Sequence, residues 1–100
     1  MAKNMEISLL FDFYGDMLTE KQRNMVEYYY NEDLSLAEIA ENEGITRQGV
    51  RDSIKRAESQ LLEMEYRLGL ARRFNEMKNG FEAIQIAAHD IQDYNNRYGY

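Results

Sequence analysis

The stretch that most limits what this chain can become is Leu34 to Ile54, LSLAEIAENEGITRQGVRDSI, because it writes two helix starts, at Ser35 and Thr46, on either side of a glycine. Ser35 offers its side-chain oxygen to the backbone N–H three residues on, and Glu38 is placed to return a bond to the N–H of Ser35. Leu34 and Ile39 stand at the positions of an apolar staple. The first helix is predicted to begin near Leu36 and to last only about two turns, with Leu36, Ile39 and Ala40 on one face. Gly44 supplies the left-handed residue that closes it. Ile45 then acts as a buried plug, Thr46 caps the next helix, and Ile45 and Val50 repeat the staple. A small residue at Ala40, a turn glycine and apolar anchors at Ile45, Val50 and Ile54 together describe a helix-turn-helix, with its apolar positions buried in one cluster.

The second of these helices is expected to show solvent Arg47, Gln48, Arg51, Asp52, Lys55 and Arg56. Four cations and one anion give this short run a charge of +3 in a chain whose net charge is -6. Residues 1–46 hold ten acids against three bases, and residues 57–100 hold seven against five, so the basic charge is concentrated on one helix. Arg and Gln near a helix start can reach base edges in a major groove, whereas Lys and Arg farther along suit phosphates. These six residues are the candidate nucleic-acid-binding set, for DNA or RNA. The plainer alternative is an ordinary solvated helix face. An otherwise acidic surface would repel a phosphate backbone, so any such contact must be oriented.

One hundred residues suit a single domain with a modest core, here a helix-turn-helix domain over about 5–70 with a helical extension over about 71–95. At 44% hydrophobic and 30% charged the chain has the composition of a soluble globular protein, and its apolar runs are too short for membrane insertion. The start, MAKNMEIS, lacks the apolar core of a secretion signal. With no Cys there is neither a disulfide framework nor a thiolate metal site, which fits a cytoplasmic protein. One histidine, His89, cannot make a metal cluster by itself. The chain has no phosphate-cradling glycine loop and no nucleophile elbow, and its acids fall on solvated helix faces at ordinary spacings. No catalytic residue, metal or cofactor is therefore expected, and the chain reads as a non-enzyme.

The absence of Pro leaves nearly all of the chain free to be helical. Ile7, Leu10, Phe11, Tyr14 and Leu18 recur at helical spacing and predict a helix over about 4–14, ended by Gly15. Thr19 caps the next helix with Gln22 at the reciprocal position; Met25, Val26 and Tyr29 give that helix an apolar face, and Asn31-Glu32-Asp33 breaks it. Tyr28 to Tyr30 could stack on bases, yet three consecutive helical residues point three ways and at least one must face the core. From Val50 the positions Val50, Ile54, Ala57, Leu61, Met64, Leu68 and Ala71 alternate in steps of four and three, a heptad seam on a long fourth helix. A second seam, Phe74, Met77, Phe81, Ile84, Ala88 and Ile91, is out of phase with the first by one residue. A break near 69–73 is thus predicted, then a fifth helix of about twenty residues with Gly80 inside it and a frayed tail after Tyr94. The seams are either intramolecular core or the contact of a homodimer through helices four and five. The fold class is all-α, with about five helices.

Two segments, LLFDFYGDMLTEKQR (Leu9 to Arg23) and EDLSLAEIAENEGITRQGVRDSIKRAES (Glu32 to Ser59), resemble the YlxM family, small bacterial proteins encoded beside signal recognition particle genes. The middle of the chain is similar to the promoter-reading C-terminal domain of bacterial sigma factors. The resemblance covers residues 5–70 and is most specific at Asp12-Phe13-Tyr14, at Leu18-Thr19 with Lys21-Gln22-Arg23, and from Asp33 to Arg56. It implies an accessory or regulatory component of the signal recognition particle pathway, a role inferred for the family largely from gene neighbourhood. The sigma-like motif would put Arg47, Gln48, Arg51, Asp52, Lys55 and Arg56 on the nucleic-acid face. Gly49 stands where an alanine-like residue is expected. It costs helix stability of up to about 1 kcal/mol and loosens the first turn, which leaves room for a protein or RNA partner. No segment for binding core polymerase or melting DNA accompanies the motif. The competing readings are a free-standing DNA-binding transcriptional regulator and a scaffold serving dimerisation alone.

Overall fold

A computed structural model describes residues 3–98, and its five α-helices are α1 (Met5–Tyr14), α2 (Glu20–Val26), α3 (Leu36–Glu43), α4 (Arg47–Leu68) and α5 (Leu70–Tyr98). Among the described residues there is no strand, and no helix is long and apolar enough to cross a membrane. The helices fall into two compact units, one ending at Gly69 and the other beginning at Leu70.

In the first unit α4 is the common wall, and α1, α2 and α3 each pack on it. Its heptad seam is what they cover: Val50, Ile54, Ala57 and Leu61 are wholly buried, together with Ile7, Leu10 and Tyr14 from α1, Met25 and Val26 from α2, and Ile39 and Ala40 from α3. A fully buried side chain of this size contributes roughly 1.5–3 kcal/mol, so this seam is the main source of the unit's stability. Leu36 and Ile45, expected inside with the rest, are half-buried and pack with Leu34 on the rim of the same cluster. Beyond Leu61 the cover thins: Met64 is half-buried, and Leu62 and Leu68 are exposed.

Local chemistry sets the helix starts. The Asn4 side chain accepts from the N–H of Glu6 at 2.9 Å, and Thr19 and Gln22 exchange reciprocal bonds at 3.2 Å, the second of these caps as expected. Gly15 ends α1 as expected. It keeps a right-handed conformation (φ -56°), and the chain tightens into a 3₁₀ turn over Gly15–Met17. Its glycine character answers crowding, since a Cβ there would stand 3.1 Å from the Phe11 ring.

The predicted break after α2 is also more structured than expected, because the helix first widens into a π-turn over Glu27–Asn31, with the Glu32 N–H reaching back to the Glu27 carbonyl at 3.1 Å. This wider turn spreads three consecutive tyrosines over a narrower arc. Tyr29 is buried, and Tyr28 and Tyr30 pack half-buried on the same core cluster. Tyr30 O–H donates to Glu58 on α4 at 2.9 Å and accepts from the Asn4 N–H at 3.3 Å. Burial desolvates its phenolate and the Glu58 carboxylate adds to that, outweighing the Asn4 bond, so the phenol is pushed up to about 12. Tyr14 makes the matching tie from α1, donating to Glu65 at 2.7 Å. Asp33 closes the break in a left-handed conformation (φ 61°), paired with Lys3, whose ammonium holds that carboxyl below the usual range.

The second unit is α5 alone. Gly69 takes the left-handed conformation (φ 64°) and ends α4 one residue before α5 begins, within the predicted break. At 29 residues α5 exceeds the expected twenty: it runs through Gly80 unbroken and on through Tyr98, so Asn95 to Tyr98 are helical where fraying was expected. The last two residues of the anticipated tail lie outside the described residues. On the second seam Met77, Phe81, Ile84 and Ile91 are each between 59% and 65% exposed.

Candidate nucleic-acid interface

The turn between α3 and α4 is built as its residues dictate. Ser35 Oγ accepts from the Glu38 N–H at 3.1 Å, and the Glu38 carboxylate accepts from the Ser35 N–H at 3.2 Å. At the other end Gly44 adopts φ 69°, and its N–H and that of Ile45 both reach the Ala40 carbonyl. Nothing lies within 4 Å of a Cβ built at Gly44, so its conformation alone demands glycine. Thr46 Oγ1 then caps α4 by accepting from the Gly49 N–H at 3.0 Å. That bond gives Gly49 a purpose beyond looseness: a Cβ at residue 49 would sit 3.2 Å from the same Oγ1 and press on the cap.

With α3 and the apolar side of α4 seated in the core, the opposite side of the first turns of α4 is held in solvent. Arg47, Gln48, Arg51, Asp52, Lys55 and Arg56 are all exposed and share this stretch of helix. None of the four cations is ion-paired with a described residue; the salt bridges lie elsewhere, at Asp16–Arg23, Glu63–Arg67 and Asp93–Arg97 as well as Lys3–Asp33. Gln48 is engaged: its Nε2 donates to Asp52 Oδ1 at 2.9 Å, one turn on. Asp52 is thus bonded to the amide and forms no ion pair with the four cations among the described residues.

A polar cleft of about 530 Å³ between α2 and α4 adjoins this edge, lined by Lys21, Gln22, Met25, Gly49, Ser53 and Arg56 among others. It adds Lys21 and Ser53 to the neighbourhood, two residues the sequence reading did not place on this surface. The start of α2 was legible from Thr19 and Gln22, and it put Lys21 in the first turn, but only tertiary packing brings that turn beside α4. The tyrosine run, by contrast, is spent on core packing and on the bond to Glu58.

Comparison with known proteins agrees with this geometry. A family model described as "Putative helix-turn-helix protein, YlxM / p13 like" matches residues 1–98. The chain is 51% identical over 82 residues to a UPF0122 protein of Desulforamulus reducens, covering 81% of this chain and 70% of the relative. It is 51% identical over 87 residues to one of Thermoanaerobacter sp. strain X514, covering 87% and 74%, and 42% identical over 100 residues to one of Acetivibrio thermocellus, covering 93% and 86%. The chain is a member of the YlxM/p13-like helix-turn-helix family, UPF0122.

Proposed function

We propose that this protein binds nucleic acid through the exposed edge of α4, with Arg47, Arg51, Lys55 and Arg56 on phosphates and Gln48, next to Asp52, on base edges. The observation that carries the reading is the set of four exposed, unpaired cations on one side of the second motif helix, in a chain of net charge -6. Lys21 and Ser53 in the adjoining cleft extend the same surface toward α2. Binding of this kind is driven by release of counterions from the nucleic acid, so it weakens steeply with salt.

The protein is, on this reading, a cytoplasmic non-enzyme that acts as a regulatory or accessory component of the signal recognition particle pathway, engaging the particle's RNA or protein through the helix-turn-helix. The family resemblance supports the pathway. A DNA-binding transcriptional regulator is the second reading, favoured by Gln48 at a position from which a base could be read. A homodimer through the uncovered seam of α5 is part of the proposal.

Salt titration tests it. If each of the four cations neutralises one phosphate, log affinity against log salt has a slope of about -3.6 per subunit on duplex DNA and about -2.8 on a single strand. Arg51→Ala and Lys55→Ala each reduce that slope by about 1, and Gln48→Ala alters sequence preference at nearly constant slope. A triple variant that binds every DNA and RNA as the parent does, yet loses a particle protein, turns the surface into a protein-docking face and ends the nucleic-acid reading.

A further inference from the structure

We infer that the occupant of the α5 seam is α5 of a second copy, running antiparallel, with Phe81 of each copy against Ile84 of the other. The inference rests on the homodimer proposed above and adds to it an orientation and a register. The seam is apolar at steps of three and four, its interior side chains are more than half exposed, and the helix is 29 residues long. The seam from Phe74 to Ile91 runs along about 26 Å of helix, and covering it buries on the order of 500 Å² per copy, about the 1,000 Å² in total that a specific interface needs.

Two features of the seam choose the direction. The first is volume. Bulky residues occupy one class of seam position early in the helix, at Phe74 and Phe81, and small or polar ones occupy it late, at Ala88 and Asn95. A parallel pair in register would stack Phe81 on Phe81 and Ala88 on Ala88, overfilled at one end and hollow at the other, which close-packed interiors resist. Reversed, with paired residue numbers summing to 165, Phe81 meets Ile84, Ala88 meets Met77 and Ile91 meets Phe74, so no layer is as full as paired Phe or as empty as paired Ala. The second is charge. In a parallel pair Arg73 of each helix flanks Lys78 of the other, two like-charge contacts along the seam. Reversal puts Lys78 beside Gln85 and Arg73 beside Tyr94, where a guanidinium over an aromatic face is favourable. Asn95 alone favours the parallel arrangement, since it would then meet its own copy; it stands in the last turn of the helix, where water serves it equally well.

The natural chain has no cysteine, so single introduced thiols report without background. Sedimentation of the full chain at tens of micromolar comes first, and a monomer there overturns the homodimer and this inference together. Given a dimer, chains carrying Met77→Cys and Ala88→Cys are mixed, equilibrated and mildly oxidised. The antiparallel register predicts a disulfide-linked heterodimer from the mixture and none from either variant alone, because like positions are then eleven residues apart, about 16 Å of helix, beyond the reach of a disulfide. Cross-linking by Ala88→Cys alone overturns the orientation and leaves the homodimer standing. A dimer that cross-links in no combination overturns the register.

Discussion

Two seams in this protein are written alike and meet different fates. On α4 the apolar positions Val50, Ile54, Ala57 and Leu61 vanish under α1, α2 and α3, whereas on α5 the equivalent positions Met77, Phe81, Ile84 and Ile91 keep more than half of their surface in water. Spacing determines which side of a helix is apolar. What covers that side depends on where other elements end, and α1, α2 and α3 are packed on α4. The contrast is between a seam that the chain covers itself and one that the proposed homodimer would cover.

The sharpest way to break this comparison is to make the same deletion in both seams. Ile54→Ala empties space inside a packed core and is expected to cost roughly 2–5 kcal/mol in denaturant unfolding. Ile84→Ala, assayed at sub-micromolar concentration where copies are apart, is expected to shift unfolding by no more than about 0.5 kcal/mol and to act on association instead. Equal losses would mean that α5 is cored within the chain. A smaller pair of effects, opposite in sign, comes from glycine. Gly44→Ala forces a side chain into the left-handed region and should destabilise by about 1–2 kcal/mol, while Gly80→Ala, in open space mid-helix, should stabilise α5 by up to about 1 kcal/mol, read as helicity by circular dichroism.

The mildest expected effect concerns pH. The Tyr30 phenol holds its proton more tightly folded than unfolded, so its contribution is complete below pH 10 and is lost as pH rises from there toward about 12. Tyr30→Phe should therefore remove part of the alkaline fall in unfolding midpoint, and curves for variant and parent that stay parallel from pH 9 to 12 would show that the phenol is not linked to folding.

Sequence carried the helix starts because caps are local: Ser35 with Glu38, Thr19 with Gln22 and Thr46 were readable within four residues of chain. Gly44 was readable for the same reason, and the break at Gly69 from the change of phase between the two seams. Other features depend on neighbours distant in sequence and were not readable. Gly15 was readable as the end of α1, but its closeness to the Phe11 ring was not; Gly49 looked like a weakness, yet it frees the Thr46 cap. At the candidate interface the exposure of all six predicted residues followed from the heptad phase of α4. Lys21 did not, since its closeness to α4 is a matter of packing. The Gln48–Asp52 bond lay at a spacing where such bonds form, but its formation depends on rotamers that spacing leaves free.

The π-turn at Glu27–Asn31 has a consequence for how such proteins change length. A single residue added to an α-helix is absorbed as one turn of this kind, without shifting either flank out of its packing. Here the added residue lets all three tyrosines reach the core and lets Tyr30 meet Glu58. Removing one residue between Glu27 and Asn31 would restore ordinary winding, swing one ring into water and cut the tie to α4, while α2 and α3 kept their caps. Among relatives, a one-residue gap at this point would record a change in winding, and a graft of this motif onto another scaffold must carry the extra residue with it.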